Sequence, residues 1–226
     1  LKGHFENYLI IFKNFKIGQY LFNTLLVTVL KLVFTMPLAI FASYAFAKLR
    51  FRGKNAMYPL IISAMFIPFQ VIMIPVYTML TKLHMIDTYR GLILVTGTIG
   101  IPSSIMLLSS SFRSIPNELL EAAAIDGCGY FRKIFHIMIP MGKPAIAICT
   151  IMGFISSWND LLPPMVIIKS VNKRLVMPAL DGLVSMYNAD TPFQLTGILI
   201  AAVPAIAIYL ILSKQIIMGI SAGSTK

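Results

Sequence analysis

Residues 113–144 read RSIPNELLEAAAIDGCGYFRKIFHIMIPMGKP. They lie between two long apolar runs and are too patterned for a plain connector. Ser114 can cap a helix, and Pro116 suits a first helical turn, where a missing N–H costs nothing. Glu118 and Glu121 follow near that N-terminus, where the helix dipole favours negative charge. Leu119, Leu120, Ala123 and Ala124 recur at helical spacing and give a short apolar face. Gly127 and Gly129 then break the helix and permit a sharp turn. A second short helix is predicted over 130–137, with Phe131, Ile134 and Phe135 apolar. Pro140 and Pro144 mark the entry to the next apolar run. Two short helices about a glycine elbow form a compact knob, and Ala122, Ala123 and Ala124 let another surface approach closely.

The rest of the chain is built to face lipid. Of its 226 residues 58% are hydrophobic and only 12% charged, with a mean hydropathy of +0.83. Soluble domains average about 25% charged residues, so disorder, a coiled coil and an ordinary water-soluble globule are excluded. About 20 apolar residues are needed for a helix to cross a hydrocarbon core. Five stretches meet that length: 21–47, 56–80, 91–112, 141–160 and 195–213. The fold expected is therefore an all-α polytopic membrane protein. It reads as a single transmembrane domain over 1–226, with the patterned loop at 113–143 and a second long loop at 161–194. Residues 5–16, FENYLIIFKNFK, read as an amphipathic segment at the membrane interface.

Charge sets the orientation. The net charge is +11, but the bases form no polybasic run and give no nucleic-acid signature. They lie in the gaps between apolar stretches, as in membrane proteins. Lys48, Arg50, Arg52 and Lys54 make the densest basic loop. The positive-inside bias places that loop, the 113–143 loop and the C-terminus in the cytoplasm, and the 161–194 loop outside.

Chemistry of other kinds finds little support. His4, His84 and His136 lie far apart, and the two cysteines, Cys128 and Cys149, make neither a disulfide framework nor a four-thiolate site. No metal, no cofactor and no catalytic residue is expected. The chain has no G-x-x-x-x-G-K-[S/T] phosphate loop, so any use of ATP must come from a partner.

The knob resembles the EAA loop of binding-protein-dependent ABC transporter permeases, with the pattern E-A-A-x3-G-x9-I-x-L-P. Here Glu121-Ala122-Ala123 is followed after three residues by Gly127 and after nine more by Ile137, Met138, Ile139 and Pro140. Only Ile139 departs, apolar for apolar. Four further stretches are similar to carbohydrate-type permeases of the maltose-system kind: Ala45–Gly53, Ile115–Leu119, Ser157–Asp160 and the tail around Gly219 and Gly223. The resemblance implies a sugar permease working by alternating access, and a sixth span expected before Leu1. It implies ABC ATPase subunits below, a second permease subunit beside it, and an extracytoplasmic sugar-binding protein above, which the 161–194 loop contacts. It also implies an ATPase-docking surface at Glu121, Ala122, Ala123, Asp126, Gly127, Ile137 and Pro140.

Within the spans, polar residues are few. Lys31 either faces a pathway or snorkels to the membrane surface, the second being favoured. Gln70, Asn159 and Asp160 are candidates for the substrate pathway, each with a structural alternative. Trp158 reads as an interfacial aromatic. Pro68, Pro75, Pro102 and Pro204 free backbone carbonyls, which tolerate burial only against protein or a wet cavity. An ion-coupled secondary transporter would carry charges in several spans, which this chain lacks. A permease for a polyol, a glycerol phosphate or an amino acid stays open.

Overall fold

A computed structural model describes residues 6–186 and 191–223. The order is α1 (Glu6–Asn14), α2 (Ile17–Lys48), α3 (Lys54–Ser63), α4 (Phe69–Lys82), α5 (Tyr89–Arg113), α6 (Asn117–Ile125), α7 (Tyr130–Met141), α8 (Lys143–Trp158), α9 (Leu162–Ile167), α10 (Val176–Met186) and α11 (Thr191–Gly223). No strand occurs among the described residues. Helices satisfy their own backbone groups, the one open-ended solution available in hydrocarbon.

Among the described residues α2 and α5 are the two helices long and apolar enough to cross a membrane singly. At about 1.5 Å per residue, α2 runs about 48 Å, well beyond a hydrocarbon core of about 30 Å. The stretch 56–80, expected as one span, is broken. α3 passes into a 3-10 turn, Ala64–Phe66, and Ile67 goes extended (φ −90°, ψ 105°) before the helix restarts at Phe69. The cause is Pro68, whose ring pushes the preceding residue out of the helical region. The stretch 141–160 is the second limb of a bent pair, with α7 and α8 meeting at 79°. The last apolar stretch is carried by α11, whose Leu195–Ile211 portion is apolar.

The chain divides into two compact units. The first takes residues 1–31, 69–96 and 154–210. Its core joins Val27, Leu80, Leu92, Val95, Ile167, Ile168 and Leu175. Three of these seven come from the segment expected as the 161–194 loop, so that segment is packed structure. It holds α9, a 3-10 turn at Val171–Lys173 and α10; residues 187–190 lie outside the described residues. Pro163 and Pro164 sit in the first turn of α9, where proline gives up no hydrogen bond.

A polar clasp fixes this segment. Asp87, at φ 57° between α4 and α5, takes the amides of Lys169 (3.0 Å) and Ser170 (2.9 Å) on one carboxylate oxygen. The other oxygen takes the Ser170 hydroxyl and the Lys173 ammonium at 3.1 Å. Lys173 also donates to the Asp87 carbonyl at 2.6 Å. These donors, the Ser170 hydroxyl foremost, hold the Asp87 carboxyl far below the usual carboxylate range. The start of α2 is tied to the same segment. Asn23 donates to the carbonyls of Asn172 (2.9 Å) and Arg174 (3.0 Å), and the Thr24 hydroxyl accepts the Val176 amide at 2.8 Å.

The second unit takes residues 32–68, 97–153 and 211–226. One cluster joins Met36, Ala39, Phe46, Ile105, Leu108, Ala145 and Cys149. Another joins Tyr44, Phe112, Ile115, Leu120, Ile134 and Met138. The bend between α7 and α8 falls at Gly142 beside this second cluster. A Cβ there would lie 2.4 Å from Phe112 Cε1 and 2.8 Å from the Met138 carbonyl oxygen.

Two outcomes follow. Gly142→Ala forces a shift of buried backbone and is expected to cost about 1–3 kcal/mol, read as a lower thermal midpoint of the solubilised protein. Gly129→Ala, whose Cβ meets nothing within 4 Å, serves as the neutral control; equal midpoints for the two variants would contradict the packing argument. Because the folded-state pKa of Asp87 is depressed, its stabilisation is present above the unfolded carboxylate value near 4 and is lost as pH falls below it. Asp87→Asn should therefore expose the 167–174 segment to protease at neutral pH, by about 2 kcal/mol. It should also remove the wild type's own loosening in acid.

Candidate functional site

The 113–144 knob is assembled from α6 and α7. The chain leaves α5 at Arg113, and Ile115 tucks into the core cluster. Pro116 is the N-cap residue of α6 at φ −58°, ψ 138°, one position earlier than a first-turn proline. Ser114 does not cap this helix: its hydroxyl donates back to the Ser111 carbonyl at 2.7 Å. Glu118 lies in the first turn as the dipole favours. Leu120 and Ala123 form the buried face of α6, while Leu119 and Ala124, expected on it, are exposed.

The elbow is a Schellman closure. The Cys128 amide donates to the Ala123 carbonyl at 2.8 Å, and the Gly127 amide donates to the Ala124 carbonyl at 3.0 Å. Those two bonds are the six-to-one and five-to-two pair of that motif, and they need the intervening residue left-handed. Gly127 has φ 76°, which glycine adopts without a Cβ penalty. The backbone then turns extended at Gly129 and enters α7. α7 contains a five-residue π-turn, Ile134–Met138, ahead of Pro140. Pro140 offers no N–H to the carbonyl four residues back, and the wider turn accommodates the missing bond. Ile134 and Met138 point into the core cluster.

Lys48 fastens the knob to the end of α2. Its ammonium donates to the Ile115 carbonyl, to Asn117 Oδ1 at 2.8 Å and to the Arg113 carbonyl at 3.4 Å. In the sequence this lysine counted only as a cytoplasmic charge; here it caps the carbonyls at the end of α5 and the side chain that opens α6. Phe41 of α2 also meets Phe131 and Phe135 of α7 edge-on, at 6.0 and 6.2 Å.

Of the residues expected on the docking surface, Glu121, Ala122, Asp126, Gly127 and Pro140 are exposed, Ile137 is half-buried and Ala123 is buried. The knob also presents large apolar side chains that the motif does not name, the most exposed being Ile125 (88% exposed), Phe131 (71%) and Tyr130 (65%). For Ile125 the sequence held a signal. It lies five residues after Leu120 and two after Ala123, off the apolar face that those two define.

The pathway candidates separate. Gln70 is exposed in the first turn of α4. Asn159 is exposed and spends its amide on the Ile155 carbonyl, 3.0 Å away. Asp160 is half-buried in the first unit, where its charge acts on Lys31. Lys31 is 7% exposed and lies within α2, so it does not snorkel. One turn away Thr28 donates to the Ser157 hydroxyl at 3.2 Å. Trp158 is no interfacial aromatic. It is buried, stacks on Phe154 at 5.4 Å, and donates its indole N–H to the Ala201 carbonyl at 3.0 Å. Pro204, three residues on, lacks the amide that would bond the Ile200 carbonyl in α11. Among the described residues no group of His, Cys, Asp or Glu is placed to hold a metal.

Residues 35–220 match the family described as binding-protein-dependent transport system inner membrane components. The chain is 30% identical over 223 residues to the arabinooligosaccharides transport system permease protein AraQ of Bacillus subtilis, covering 98% of this chain and 79% of that protein. It is 32% identical to the probable ABC transporter permease protein YurM of the same organism, over 99% of this chain and 74% of the relative. A diacetylchitobiose uptake system permease of Streptomyces coelicolor is 29% identical over 97% of this chain and 74% of its own. In three dimensions the chain superposes on a chain of a bacterial ABC transporter that imports the acidic polysaccharide alginate. The TM-score is 0.80 at 25% identity, over 93% of this chain and 79% of the other.

Lys48→Met keeps the aliphatic stem and removes every donor that holds residues 113–117. Orphaned part-buried carbonyls cost about 1–3 kcal/mol. Amide hydrogen exchange over 115–127 should quicken in Lys48→Met and recover partly in Lys48→Arg. Unchanged exchange in the methionine variant would show that the strut does not hold the knob.

Proposed function

The chain belongs to the family of binding-protein-dependent transport system inner membrane components, and from that membership we propose how its knob couples ATP hydrolysis elsewhere to passage of a sugar through the membrane. The protein is a multi-pass inner-membrane permease subunit of a bacterial ABC importer. It is no enzyme; ATP is hydrolysed by separate ATPase subunits, beside a second permease and an extracytoplasmic binding protein.

The solute is a sugar or oligosaccharide. The support is that the named relatives transport arabinooligosaccharides and diacetylchitobiose, and that another relative, from Thermoanaerobacterium thermosulfurigenes, is a probable permease for starch degradation products. The second reading is a polyol or glycerol-bearing solute, since two further relatives are permeases for osmoprotective compounds and for sulfoquinovosyl glycerol.

The ATPase docks on the knob. The observation that carries this reading is the uncovered apolar group Ile125, Tyr130 and Phe131 beside the exposed Glu121, Ala122, Asp126 and Gly127. Three large apolar side chains left in water on a rigid element favour a partner surface. The opposite face of α6 and α7 enters one cluster with Tyr44 of α2 and Phe112 of α5. A push on the exposed face is thus delivered to two long helices through close-packed side chains, which transmit strain because they cannot compress. ATP-driven closure of the partners biases the helices toward one access state, and nucleotide release toward the other. Such a switch works only as far as the ligands bind the two states unequally.

Ile125→Asp is the direct test, in the transporter assembled with its partners. Membrane levels of the permease should stay at wild type, because the side chain packs against nothing in the chain. Co-purification of the ATPase and ATP-dependent uptake of oligosaccharide into proteoliposomes should both fall at least tenfold, as for loss of a hot-spot contact of about 2 kcal/mol. Full recruitment and uptake in this variant would refute docking on this face. Uptake of an amino acid in preference to oligosaccharides by the wild type would refute the sugar assignment alone.

A further inference from the structure

Two hydroxyls of α2 reach the neighbouring helix. A serine or threonine inside a helix ordinarily bonds its own backbone three or four residues back. Thr96 does so on the Leu92 carbonyl and Thr150 on the Ile146 carbonyl, both at 2.8 Å. Thr35 instead donates to the Gly97 carbonyl of α5 at 3.3 Å, and Ser43 donates to the Ile105 carbonyl of α5 at 3.3 Å. Both side chains are buried. The second bond lies eight residues beyond the first on both helices, a rise of about 12 Å. α2 and α5 therefore run side by side in one register, with a rung at each end of that stretch. The first rung needs a close approach: a Cβ on Gly97 would lie 2.7 Å from Phe34 Cδ1 and 3.2 Å from Thr35 Oγ1.

Between the rungs each helix carries a proline, Pro37 in α2 and Pro102 in α5. Proline has no amide for the carbonyl four residues back and its ring crowds that turn, so a helix bends there most readily. Two bending points side by side would absorb a displacement applied further along the pair. Such a displacement enters beyond the second rung, where Tyr44 of α2 and Phe112 of α5 join the cluster under the knob. Along the same stretch the helices also share an apolar cluster that includes Met36, Ala39, Ile101 and Ile105. Apolar burial has no direction of its own, whereas a hydroxyl on a chosen carbonyl fixes register.

We infer that Thr35 and Ser43 are positioning residues for transport: they splint α2 and α5 across their two prolines, so that the pair shifts as one rod when the knob is pushed. The inference rests on the coupling proposed above and names the residues that keep the push from being lost in bending.

The test uses the transporter assembled with its partners in proteoliposomes, with the best carried member of a panel of labelled neutral oligosaccharides as probe. It reads ATP hydrolysed per sugar imported. Thr35→Val with Ser43→Ala removes both rungs and little volume. Co-purified ATPase should stay at the wild-type level, and ATP hydrolysed per sugar should rise about fivefold, the scale of two interhelical hydroxyl bonds. Thr35→Ser keeps the donor and should keep the wild-type ratio. Ser103→Ala is the control, since that hydroxyl bonds the Gly100 carbonyl of its own helix at 3.0 Å. Adding Pro102→Ala gives α5 back a backbone amide and should return the double variant toward the wild-type ratio, a recovery that a merely structural role for the hydroxyls does not produce. The inference is overturned if the double variant, with its ATPase bound, hydrolyses no more ATP per sugar than wild type. It is also overturned if Pro102→Ala leaves the raised ratio where it is. If the double variant does not assemble, Thr35→Val alone is read against the same two outcomes. Lost recruitment is the signature of Ile125→Asp, so failure of the docking face and failure of the splint are told apart.

Discussion

Phe112, on the last turn of α5, puts its ring where any side chain at position 142 would be. That contact is possible only because Gly142 has none, and it sets the angle at which α7 gives way to α8. The consequences spread through the second unit. Phe112 is fully buried, and around it close Tyr44 from α2, Ile115 from the lead-in, Leu120 from α6, and Ile134 and Met138 from α7. Four separate stretches thus join Phe112 in one cluster. A cluster of this density resists deformation, and so the short helices α6 and α7 hold their shape although neither would be stable alone in water.

Polar groups repair what the breaks in the helices leave open. The Schellman pair at Gly127 satisfies the carbonyls of Ala123 and Ala124, and Lys48 satisfies those of Arg113 and Ile115. In the first unit the Trp158 indole serves the Ala201 carbonyl, and Asp87 collects two amides and a hydroxyl from the 169–170 turn. An unpaired polar group costs far more away from water than a typical bond returns. The elbow, the end of α5 and the 169–170 turn each accordingly have a named donor or acceptor beside them.

The knob was legible from sequence because its chemistry is local. Glycine spacing, the lead-in proline and the 3.6-residue recurrence of Leu120 and Ala123 report on neighbours a few positions away, and α6, the elbow and α7 stand where those signals put them. Ser114 failed as a cap because Pro116 holds the N-cap position itself and the serine hydroxyl found a nearer carbonyl. What stayed hidden depends on distant residues. Hydropathy alone reads 56–80 as one span, since Ile67 and Pro68 are as apolar as their neighbours and only the pre-proline backbone rule shows the break. Nothing near Gly142 in sequence announces Phe112, thirty positions earlier. Lys31 and Trp158 were misplaced because both are buried in the folded chain, and the Trp158 indole bonds the Ala201 carbonyl, forty-three residues along the chain.

On the docking proposed at the exposed Ile125, rigidity and docking belong to one element. Burying a side chain of that size in a partner is worth about 1.5–3 kcal/mol, and the three most exposed apolar residues of the knob together offer only a few times that. Contacts so few can carry a mechanical load only if the element bearing them does not yield first. If α6 frayed under load, the chain would recover conformational entropy of about 1–2 kcal/mol for each residue released, which for nine residues rivals the whole docking energy. The Schellman bonds, the Lys48 strut and the Phe112 cluster raise the cost of that fraying. On the proposed docking, the load would then pass to α2 and α5 through the packed side chains.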